Sequence, residues 1–76
     1  MMTAAELRAS RRKLGEMWGK GRPLRCAELG RALMIKAKDP GETIRRYERG
    51  TRIHWSVECA VTMMLRGSLP PGGIPT

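Results

Sequence analysis

Asp39-Pro40-Gly41-Glu42-Thr43-Ile44-Arg45-Arg46-Tyr47-Glu48-Arg49-Gly50 is the stretch that decides the fold. Asp39 has the side chain of a helix cap, and Pro40 follows where a missing N–H does no harm. Glu42 stands third after the cap, as in a capping box, and Gly50 is a stop. Ile44 and Tyr47 fall on one side of the helix between these signals, which leaves Arg45, Arg46 and Arg49 facing outward.

Upstream, Leu24 to Leu33 reads as a second helix opened near Pro23, with Ala27, Leu29, Gly30 and Leu33 inward. Gly30 lowers helix propensity by roughly 1 kcal/mol relative to Ala, which makes sense where another helix approaches closely. Met34 to Lys38 connects this helix to the one after it and is expected to be exposed. Thr3 to Leu14 forms a first helix, with a capping box from Thr3 and Glu6 and with Leu7 and Leu14 one heptad apart. Gly15 is assigned to its C′ position. The loop from Glu16 to Pro23 carries Met17 and Trp18, which are expected over a core edge.

Downstream, Thr51 to Trp55 is a connection and Ser56 caps a fourth helix to Arg66. Val57, Ala60, Val61, Met64 and Leu65 have the spacing of a buried face, and Gly67 closes the helix. No strand or repeat is evident. The expected fold class is all-α: a compact bundle of four short helices containing a helix-turn-helix. The domain spans 1–67, and 68–76 is a flexible Pro/Gly-rich tail.

Composition narrows the function. The chain has 76 residues, of which 41% are hydrophobic, with no Phe. That suffices for one small core of marginal stability, which dimerisation would help. Fifteen Lys and Arg against seven Asp and Glu give +8, the electrostatic footprint of a polyanion binder. The bland alternative is a solvated basic surface. An acidic membrane surface would require a strongly amphipathic helix, and none stands out. Nor does any stretch approach the ~18–20 apolar residues of a membrane span.

Cys26, Cys59 and a single His are too few for zinc, so neither metal nor cofactor is expected. With no secretion signal at the N-terminus, two buried thiols in a cytoplasmic protein is the reading adopted. His54 lacks the partners of a catalytic motif. Trp55 is expected to plug the core or a dimer contact, and Met63-Met64 to supply one core and one interface residue. No paired acid and base, phosphate-binding glycine loop or metal cluster is present, so an enzyme is not expected.

The run Thr43-Ile44-Arg45-Arg46-Tyr47-Glu48-Arg49-Gly50 resembles the end of the recognition helix in lambda-repressor/Cro-type (XRE-like) regulators, where T-I-x-x-[WY]-E-x-G is common. Ala27-Glu28-Leu29-Gly30-Arg31-Ala32-Leu33 is similar to that family's second helix, A-E-L-A-x-x-L, and Leu14-Gly15 to the end of its first. The similarity covers roughly Thr3 to Leu65. Longer connections before and after the second helix, and Gly30 in place of Ala, depart from the pattern. L-G-x-x-W-G before helix two and D-P-G opening helix three resemble small bacterial and prophage regulators, including anti-CRISPR-associated ones.

The resemblance implies a sequence-specific, double-stranded DNA-binding transcriptional repressor. It would be a homodimer on an inverted-repeat operator, acting by promoter occlusion; the small size, which leaves no room for a sensor domain, suggests autoregulation without a small-molecule ligand. Gly41, Glu42 and Arg46 take the base-reading positions, and Thr43 and Arg45 those shared between base and phosphate. For Glu42, capping duty is the alternative. Glu48 is implied in a structural ion pair with Arg11. Arg25, Arg49 and Arg52 at helix ends and in the following loop, with Lys36 and Lys38 in the turn, are the candidate phosphate contacts. Helix four with its tail is the expected dimer surface. The alternative function is an antitoxin or phage-encoded protein-interaction module using the same fold.

Overall fold

The structure, a computed structural model, describes residues 1–75; Thr76, at the end of the expected tail, lies outside the described residues. The chain is all-α, with helices α1 (Ala4–Met17), α2 (Cys26–Ala32), α3 (Pro40–Glu48) and α4 (Trp55–Leu65) and no strand among the described residues. They enclose one core of Leu7, Leu14, Leu24, Leu29, Ile44, Ile53, Val61 and Met64, within extents of 28 × 26 × 20 Å.

α1 begins as its sequence dictates. The Glu6 amide donates to Thr3 Oγ1 at 3.1 Å, and the Thr3 amide donates back to Glu6 Oε1 at 2.9 Å. The helix does not stop at Gly15 but continues to Met17, and the C′ glycine is Gly19, at φ 74°. Gly15 is buried inside the helix, and a Cβ there would strike the carbonyl oxygen of Arg22. The absent side chain lets the connection fold back on α1, where the Leu24 amide donates to Arg11 O at 3.2 Å. Met17 is therefore helical and exposed, while Trp18 is half-buried against the core.

α2 is shorter than its apolar pattern suggested, because Arg25 holds the cap position. Glycine settles how α2 and α3 meet. A Cβ on Gly30 would lie 2.6 Å from Pro40 O, and one on Gly41 would lie 2.8 Å from the Ala27 amide nitrogen. The first turn of α3 thus lies along α2 at backbone contact distance.

All four helices close with the same pair of bonds. The amide of the C′ residue reaches back to one carbonyl and the next amide to the carbonyl before it, as at Gly50 to Tyr47 and Thr51 to Arg46. Gly19, Gly50 and Gly67 supply the left-handed residue for α1, α3 and α4. α2 uses Met34, at φ 57°, where a non-glycine residue costs roughly 1–2 kcal/mol.

The cap of α4 is His54 and not Ser56: imidazole Nδ1 accepts from the Ser56 amide at 3.2 Å. This gives the lone histidine a structural role. Ile53, just before it, is buried, so the connection from 51 to 54 contributes to the core. Trp55 is 69% exposed and does not plug the core. The cysteines are free, but Cys26 is half-buried and Cys59 exposed, which corrects the expectation of two buried thiols. After α4 the chain returns to α2, where the Gly72 amide donates to Ala32 O at 2.8 Å and Pro70 is buried. No helix among the described residues is long and apolar enough to cross a membrane.

Candidate nucleic-acid interface

The outward face of α3 carries Arg45, Arg46 and Arg49, all exposed. Ile44 is fully buried behind them and Tyr47 packs against the core. Two carboxylates organise the three arginines. Asp39 caps the helix through Oδ1, accepting from the Gly41 amide at 3.1 Å, and holds Arg45 through Oδ2 at 2.7 Å. Glu42 accepts from Arg45 Nε at 3.1 Å and Arg49 Nη2 at 2.6 Å, and lies 3.8 Å from Arg46 Nε. Arg49 and then Arg45 hold its carboxyl below the ordinary range.

Glu42 therefore does not complete a capping box, since its oxygens turn along the helix surface toward the arginines. Gly41 also departs from its expected place. It is buried against the α2 backbone and cannot offer its own backbone to a base edge. Thr43 is half-buried beside Arg46 in a groove of about 660 Å³ that also includes Tyr47, Arg52 and Trp55.

Arg25, Lys36, Lys38 and Arg52 are all exposed. Arg25 is the cap residue of α2, whose next turn meets Gly41 through Ala27. Lys36 and Lys38 lie in the connection leading to Asp39, and Arg52 follows α3. Lys36, Lys38 and Arg52 thus flank α3 in chain order, while Arg25 precedes α2; none of the four has an acidic partner within ion-pairing distance among the described residues.

Glu48 faces the other way. Arg11 grips it with both ends of its fork, Nε to Oε2 at 2.8 Å and Nη2 to Oε1 at 3.0 Å, and a third nitrogen donates to Leu24 O. Arg8 reaches the same carboxylate at 3.4 Å. The pair implied by the resemblance is formed, and it fixes the C-terminal end of α3 to α1. A second anchor joins α2 to the loop before it. Glu28 is buried, accepts from Arg22 at 2.8 and 3.2 Å, and accepts from the Arg25 amide at 2.8 Å. Arg22, followed by the Arg25 amide, lowers its pKa to about 2. Glutamate three residues after the cap was a signal for half of this arrangement; the approach of Arg22 depends on the loop fold.

Among the described residues no cluster of His, Cys, Asp and Glu has the makings of a metal site. No protein-family model matches the chain, and neither a curated protein nor a solved structure matches it.

Proposed function

We propose that the chain is a sequence-specific, double-stranded DNA-binding repressor of the helix-turn-helix class, in which α3 enters the major groove and α2 lies across the backbone. One observation carries this reading: α3 is anchored from behind by Ile44 and the Arg11–Glu48 pair while its solvent face is a row of arginines. Arg46, the least engaged of the three, has the fork that matches guanine O6 and N7, worth ~1–3 kcal/mol of discrimination. Arg25, Arg49, Arg52, Lys36 and Lys38 supply phosphate contacts around it. A two-fold dimer on an inverted repeat, acting in the cytoplasm by occluding its own promoter, is the corresponding mode of action.

Fluorescence anisotropy with a duplex of its own upstream region and a scrambled duplex, across a salt series, tests the proposal. The upstream duplex is expected to bind at least ~10³-fold more tightly, with affinity falling steeply as salt rises. Arg46→Ala should remove the preference and leave weak, salt-sensitive binding to either duplex. Equal binding to both by the wild type, only at low salt, overturns the reading and points to a protein partner.

A further inference from the structure

α2 is seven residues long, too short to hold its shape without neighbours. The helix it chiefly packs on is α3, whereas α1 packs on both α3 and α4. Its C-terminal end closes without a glycine, on Met34 at φ 57°, and that end is met by the segment after α4. Pro70 is buried, the Gly72 amide donates to Ala32 O at 2.8 Å, and a Cβ on Gly72 would strike the carbonyl oxygen of Arg31. The Gly73 amide donates to Pro70 O at 3.1 Å, so Pro70 to Gly73 forms a tight turn laid against the end of α2. Around these footholds the segment stays outside: Leu69, Pro71 and Ile74 are exposed.

We infer that residues 69–73 are a releasable strap, which caps α2 from outside the helix while seated and, when lifted, loosens the α2–α3 unit. Three features point to this. First, Ala32 O is one of the carbonyls that a helix end leaves without an intrahelical partner, and the chain satisfies it from far along the sequence, with the Gly72 amide. Second, α2 is held by backbone approaches at successive residues: Gly30 takes Pro40, and Arg31 and Ala32 take Gly72. With no left-handed preference at Met34, the end of the helix depends on both. Third, the strap is attached through a proline ring and a backbone amide, and none of its residues belongs to the core. A segment with so little buried apolar contact opens at low cost while the rest of the domain stays folded.

The test uses the full chain without DNA and reads amide hydrogen exchange by NMR. In Gly72→Val the added side chain has no room against Arg31 and lifts the strap. The amides of Leu33, Met34 and Ile35, which close α2, should then exchange roughly tenfold faster or more than in the wild type. Those of Val61 and Met64 in α4 should keep their rates. Pro70→Ala, which removes the buried ring without adding bulk, should quicken the same amides of α2 by a smaller factor. Unchanged rates at 33–35 in Gly72→Val overturn the inference. So does equal acceleration in α4 or loss of the fold, because a strap that lifts freely leaves the domain standing. A consequence for binding rests on the function proposed above: Gly72→Val should weaken binding to the upstream duplex by several-fold, and unchanged affinity would overturn the strap's hold on α3. A wild type without preference for that duplex removes the proposed function and leaves the exchange result to decide the strap.

Discussion

Two glutamates of the same helix, Glu42 and Glu48, each collect arginines, yet they serve different ends. Glu48 is 10% exposed, and its arginines come from α1, 37 and 40 residues away in sequence. Glu42 is 37% exposed, and its arginines come from α3 and its C-cap, three, four and seven residues on. The first arrangement ties two helices together. The second orders the surface of one helix and moderates its charge. What separates the two ion-pair clusters is the origin of the cations and not the kind of contact: a carboxylate served from another element joins two parts of the fold, and one served locally orders only its own surface.

The contrast is broken most directly at Glu48. Glu48→Ala leaves Arg11, only 18% exposed, without its charge partner, and should destabilise the protein by about 3 kcal/mol. Urea denaturation reads this, and a loss below about 1 kcal/mol would place Glu48 with the surface pairs. A smaller effect is expected at Glu28, another carboxylate served from outside its helix. Glu28→Gln should lower the denaturation midpoint by less than half as much at neutral pH. Because folding depresses this carboxyl from 4.5 to about 2, the charge contributes fully above pH 4.5 and is lost as pH falls toward 2. The gap between wild type and Glu28→Gln should close over that interval, and a gap independent of pH would assign the effect to packing. The smallest stability change is expected for Glu42→Gln, whose midpoint should match that of the wild type. Its effect should instead appear in binding to scrambled duplex, tighter by a few-fold with a salt slope steeper by roughly one. Unchanged binding would leave the Glu42 cluster without a role in moderating the charge of α3.

This division was only half legible in the sequence. Asp39-Pro40, Thr3 with Glu6, Gly50 and Gly67 announce helix ends through bonds made within a few residues, and the structure uses each of them. Gly15 and Gly19 both look like stops, and what distinguishes them is the carbonyl of Arg22 arriving over Gly15, a tertiary contact with no local signature. Met34 in a left-handed conformation contradicts its own propensity. The close approach at Gly30 was legible because a glycine in a helix interior needs a reason. The burial of Gly41 was not, since beside Pro40 it reads equally well as part of a turn. At the candidate site the outward arginines followed from periodicity alone, whereas the turn of Glu42 toward them depended on side-chain rotamers that no spacing encodes.

The shared ending of the four helices also bears on how quickly the chain finds its shape. Each closing pair of bonds spans only three to five residues, so the stops at Gly50 and Gly67 are written locally, whereas in α1 the passage over Gly15 to Gly19 is settled by the Arg22 carbonyl. Much of the search is then confined to arranging rods of settled length, the regime of low contact order in which helical domains fold in microseconds to milliseconds. α2 is a further exception, for its methionine stop offers no left-handed preference of its own. The end of that rod is set by the company it keeps, when Pro40 settles on Gly30.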